Sequence, residues 1–136
     1  MKKIMILTFA VGIVTLMGSL QAIAQGVQAT FTMPSSFYAG SAKLPAGTYT
    51  LRQMQDDTNA FILRNSAGTH SVVLEGRPST KASKGGTEIL FNRYADAEYL
   101  EGVETANGTS VDIETGIAEK IAAKKGAPQP HTVPAK

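Results

Sequence analysis

The chain has 136 residues, no cysteine, 13 Lys and Arg against 11 Asp and Glu, and two histidines. The absence of Cys excludes disulfides and thiolate metal sites, so stability has to come from packing and sheet pairing. Lys2 and Lys3 account for the formal net charge of +2, and the near-neutral remainder offers no basic face for nucleic acid.

The first 24 residues have the pattern of a secretory signal peptide. Lys2 and Lys3 form a positive start, Ile4 to Met17 is almost unbroken apolar sequence, and Ala22-Ile23-Ala24 is a small-x-small cleavage site. The apolar run is short for a membrane span, which needs ~20 residues. No Cys follows it, so a lipoprotein anchor is excluded. Cleavage is expected after Ala24, with Val27-Gln28-Ala29 as a second candidate site. The product would have no membrane span and a periplasmic or secreted location. It would keep 112 of the 136 residues, a length suited to a single domain with its own core.

Val27, Ala29, Phe31 and Met33 alternate with Gln28, Thr30 and Thr32, which predicts a half-buried strand. Phe37-Tyr38-Ala39 resumes it after Pro34-Ser35-Ser36. Leu44-Pro45-Ala46-Gly47 is a turn, and Thr48 opens a strand with Tyr49 and Leu51 on one face. Further Gly-Thr steps occur at Gly68, Gly86 and Gly108, at intervals of 21, 18 and 22 residues. These intervals are too irregular for a solenoid and fit hairpin punctuation. Strands are predicted over Phe61–Arg64, Ser71–Glu75, Glu88–Arg93, Tyr99–Thr105 and Thr109–Asp112. The polar turn Asp56-Asp57-Thr58-Asn59, the loop from Gly76 to Gly86 and the Asn107-Gly108 turn separate them.

The period then changes. Ile113, Ile117 and Ile121 lie four apart, which predicts a helix over 113–125 with one apolar stripe. Residues 126–136 carry Pro128, Pro130 and Pro134 and are expected to be a disordered tail. The sum is a mainly β domain over 25–125: an antiparallel small barrel or sandwich of about seven strands with one C-terminal helix.

Three stretches carry a family likeness: FYAGSAKLPAGTYTL (Phe37 to Leu51), LFNRYADAEYL (Leu90 to Leu100), and the segment Ile113 to Lys125. Their layout resembles that of a family of small exported proteins numerous in soil bacteria. The family pattern has L-P-A-G-x-Y and F-x-R-Y-x-D-like motifs, with Gly usual where Ala95 stands here. The resemblance implies secretion and a β fold, and it brings no catalytic residues.

The densest polar-aromatic cluster is Arg93, Tyr94, Asp96, Glu98 and Tyr99. Two carboxylates at i and i+2 would share one side of a strand, an arrangement that glycosidic acid/base chemistry could use. The plainer reading pairs Arg93 with an acid and packs the tyrosines across strands. Arg77, Lys81 and Lys84 in the Gly76–Gly86 loop could meet an anionic glycan or headgroup, or could simply be solvated. Asp56, Asp57 and Asn59 fall short of a full Ca²⁺ loop. His70 sits at a strand start and His131 in the tail, too sparse for a Zn site or a triad, and no G-x-S-x-G elbow is present. The expectation is a non-catalytic exported β domain without cofactor or metal. Its partner would be a small apolar ligand, placed between sheets or in a barrel mouth, or alternatively a component of the cell envelope. A small hydrolase is the weakest reading.

Overall fold

The computed structural model describes residues 27–54, 59–79, 83, 85–106 and 108–136. The leader, the Asp56-Asp57 turn, Lys81, Lys84 and Asn107 lie outside the described residues.

The protein is mainly β and dominated by antiparallel pairing. Among the described residues there are ten strands, not about seven. They are β1 (Gln28–Met33), β2 (Phe37–Ala39), β3 (Ala42–Leu44), β4 (Gly47–Gln53), β5 (Ala60–Asn65), β6 (Ser71–Ser79), β7 (Glu88–Tyr94), β8 (Ala97–Glu104), β9 (Ser110–Ile113) and β10 (Gln129–Pro134). One helix, α1 (Ile117–Ala123), lies between β9 and β10. The sheet runs β1-β4-β5-β6-β9-β8 by antiparallel ladders. β8 then pairs with β7, and β7 with β10. β2 and β3 form a small hairpin that meets the start of β8 through a parallel contact, Tyr38 opposite Tyr99.

The two ends of this sheet fold toward each other over a buried aromatic core. Phe31 of β1 lies 6.0 Å from Phe91 of β7 and 6.1 Å from Phe37 of β2, both edge-on. Phe37 also meets Tyr49 at 5.0 Å and Phe91 at 5.7 Å. All four rings are at most 2% exposed, and Leu51, Phe61, Leu63, Ile89 and Val103 complete the packing. Such edge-to-face contacts add to the burial energy of each ring. The predicted inward faces are the observed ones: Val27, Ala29, Phe31 and Met33 are all buried, as are Tyr49 and Leu51.

The Leu-Pro-Ala-Gly-Thr-Tyr stretch closes on itself. The Tyr49 hydroxyl donates to the carbonyl of Pro45 at 2.6 Å, so the ring fills the core while its polar end caps its own turn. Gly47 has φ 154°, and the other three glycines of the Gly-Thr steps also take positive φ (72° at Gly68, 110° at Gly86, 87° at Gly108). A Thr could not hold those angles without strain, so the turn falls on Gly and the strand follows within three residues.

The structure corrects the expectations for the C-terminal part. Ile113 is not helical: it is the last residue of β9, paired with Gly76 and 5% exposed. The Glu114 N–H continues the ladder by donating to the Glu75 carbonyl at 2.8 Å. The helix begins only after Gly116, which is seated so closely on the β2–β3 turn that a Cβ there would lie 2.3 Å from the Gly40 carbonyl oxygen. Its Ile117 and Ile121 face solvent, and Glu119 faces the sheet.

Residues 129–134, expected to be disordered, pair with β7. The Ala135 N–H donates to the Thr87 carbonyl, so odd-numbered positions turn their donors to β7. Pro130 and Pro134 are both even-numbered and direct their missing donors to the opposite edge, where a strand tolerates them. That edge faces β1. Thr30 and Lys136 exchange two backbone hydrogen bonds of 3.0 Å there, but the prolines cannot extend this contact into a ladder. The sheet is therefore sandwich-like and not closed into a barrel. No helix among the described residues is long and apolar enough to cross a membrane.

Candidate functional site

The residues of the polar-aromatic cluster divide between the two faces of the β7–β8 hairpin. Arg93 and Glu98 are opposite each other in the ladder and lie on the core side, at one end of the sandwich. Glu98 is 3% exposed. The Arg93 guanidinium donates to Glu98 Oε1 through Nε at 2.8 Å and again through Nη2. His131 of β10 brings Nδ1 to 2.8 Å from Oε1 and 3.0 Å from Oε2 of the same carboxylate. Both carboxylate oxygens are thus engaged by cations or hydrogen-bond partners. Glu98 ties the β7–β8 hairpin to β10, a structural role of the kind a buried acid takes when its partners are complete.

Asp96 is not on the strand with Glu98. It is an exposed residue of the turn, where Ala95 takes φ 53°. The i, i+2 relation of the two acids therefore does not give a carboxylate pair facing one substrate. Asp96, Glu98 and Tyr94 do border one shallow cleft of about 360 Å³, together with Ser36, Tyr38 and Lys43. The Tyr38 ring has two neighbours. Tyr99 stacks on it at 4.8 Å and 12°, and the Lys43 ammonium stands 5.8 Å from its centre.

The outer face of the same hairpin holds the second group. Tyr94 meets Tyr99 edge-on at 5.6 Å. Asn92 Nδ2 donates to Glu101 Oε2 at 2.7 Å and to Glu119 Oε1 at 3.2 Å. Burial raises the Tyr94 phenol above its ordinary value, and the Glu119 and Glu101 carboxylates and a hydrogen bond to Glu119 push it further the same way. Tyr99 is raised first by burial and then by Tyr38 and Glu119. Both phenols stay protonated donors near neutrality. Glu119, 3% exposed, is thus the residue by which α1 is held to the sheet.

Beside α1 the outer face opens into a cleft of about 630 Å³. Its charged lining is Glu75 and Arg77 from β6, Asp112 and Glu114 from β9 and the residue after it, Glu101 from β8, and Lys120 from α1. Arg77 was expected on a loop with Lys81 and Lys84. It is instead within β6, directly opposite Asp112 in the ladder, because the strand continues to Ser79. Lys81 and Lys84 lie outside the described residues.

Sequence reasoning missed His131, Asn92 and Glu119. His131 carried a signal in the even spacing of the prolines around it, which is the pattern of an edge strand. Glu119 carried none, because an acid on the inward side of a short helix reads as solvated. No protein-family model, curated protein or solved structure matches this chain.

Proposed function

We propose that this chain is an exported, non-catalytic β-domain protein that binds a polar ligand on the outer face of its sheet, in the cleft beside α1. The carrying observation is the contrast between the inside and the outside of the fold. The interior is filled by the protein's own rings, so an apolar ligand between the sheets has no space. The cleft is open to solvent and walled by residues from four strands and a helix. Its four carboxylates outnumber its two cations, which favours a ligand carrying amines.

The non-catalytic reading rests on the state of the candidate acid. Both oxygens of Glu98 are taken up by Arg93 and His131, which supports a structural role for it. Export rests on the leader and its Ala-x-Ala site. The likeness carried by LPAGTYTL and LFNRYADAEYL supports placing the chain with the small exported β proteins of soil bacteria.

Calorimetric titration with spermidine tests the cleft. Binding that weakens as salt rises and is reduced in Glu101→Gln and Glu114→Gln is expected. Spermidine binding unaffected by either substitution would remove the proposal. The second reading, an envelope interaction protein, is favoured by one observation, the exposed isoleucines of α1.

A further inference from the structure

Helix α1 is inverted relative to an ordinary surface helix. It buries Glu119 and presents Ile117, 69% exposed, and Ile121, 52% exposed, one turn apart. The helix cannot roll to hide them, since Glu119 is held by Asn92 and Tyr94 and Gly116 is wedged against the Gly40 carbonyl. Lys120, Lys124 and Lys125 are exposed around and just beyond the isoleucines. Between Ile117 and Lys125 the sole acid is Glu119, which is turned inward. Along the helix itself the outward face is therefore apolar at its centre with only cations around it, while the carboxylates of Glu101, Asp112 and Glu114 lie in the cleft on the Lys120 side.

We propose that this face docks reversibly on an anionic lipid surface. The two isoleucines enter the boundary between headgroups and acyl chains, and the lysines lie over their stems to reach the phosphates. Charge favours this occupant over a second copy docked α1 against α1, because such a two-fold contact would set lysines against lysines. The surface is distinct from the cleft reading and survives its failure. Only Lys120 is shared between them, and it is left unchanged in the test.

The chain has no cysteine, so a single introduced one gives a unique label. An environment-sensitive dye is placed at Ile121→Cys and, as a control, at Val73→Cys, which is 60% exposed on β6. With vesicles containing phosphatidylglycerol, a blue shift is expected at position 121 and none at position 73. With pure phosphatidylcholine, no shift is expected at either. Vesicle affinity of the unlabelled protein, read by co-sedimentation, should fall by roughly thirtyfold in Lys124→Gln/Lys125→Gln. It should fall likewise in Ile117→Ser/Ile121→Ser, with far-UV circular dichroism unchanged. A dye at position 121 that stays in water on anionic vesicles overturns the proposal, as does an equal response on phosphatidylcholine. A shift that depends on protein concentration without vesicles also overturns it and assigns the face to self-association.

Discussion

The contact between Glu98 and His131 fixes whether the last segment of the chain belongs to the fold. Glu98 has a side chain 4% exposed, while Arg93 and His131 are 45% and 38% exposed. Removing one member of a fully buried ion pair costs about 3–5 kcal/mol. Here the partners are half in solvent, and screening brings the expected loss to about 1–2 kcal/mol for Glu98→Gln or for His131→Ala. In urea, with a slope of about 1–3 kcal/mol/M, such a loss moves the unfolding midpoint down by roughly 0.5–1.5 M. The double variant separates the contact from the two deletions. Because the residues touch, it should be about 1 kcal/mol more stable than the sum of the single losses implies. Hydrogen exchange adds an independent readout: the amides of His131 and Val133, which face β7, should be protected. Additivity within about 0.3 kcal/mol together with fast exchange at those two amides would refute the docking of β10.

Three further outcomes follow from local geometry. Ala95 stands in left-handed backbone at φ 53°, so Ala95→Gly should raise stability by about 1 kcal/mol, read as a higher urea midpoint. Gly102→Ala would place a Cβ 2.4 Å from the Val111 carbonyl oxygen in the neighbouring strand, and a loss of about 2–3 kcal/mol is expected in the same assay. Tyr49, Tyr94 and Tyr99 are all raised above the ordinary phenol value of 10.0 by burial. The unfolded chain then loses its phenolic protons first, so stability is flat below pH ~10 and falls as pH rises through that value. Replacing Tyr94 and Tyr99 by Phe should reduce the alkaline loss, as followed by urea midpoints at pH 8 and 10.5.

The central strands were legible because their faces differ. Val27 to Met33 alternates without a break, and each of its apolar positions is buried. Tyr49, Ile89 and Phe91 follow the same rule. The Gly-Thr steps were legible because positive φ excludes most other residues at those turns. Ile113, Ile117 and Ile121 misled because spacing by four fits a helix regardless of what each residue meets. The first of them is claimed by Gly76 across a ladder, and the other two are turned out by the burial of Glu119. The tail misled because prolines signal disorder by composition, whereas their even spacing matters only once β7 supplies a partner edge. The divided fate of Arg93, Tyr94, Asp96, Glu98 and Tyr99 has a similar cause. Adjacent strand residues face opposite ways, so a cluster dense in sequence becomes two clusters in space.

The claim that this protein binds on its outer face, not within its core, is tested most directly by mapping amide chemical shifts of the labelled protein during titration with spermidine. Perturbations grouped at Glu75, Arg77, Glu101, Asp112, Glu114 and Lys120 are the expected result. Perturbations grouped instead at Phe31, Phe37, Tyr49 and Phe91, or scattered without a centre, would contradict it.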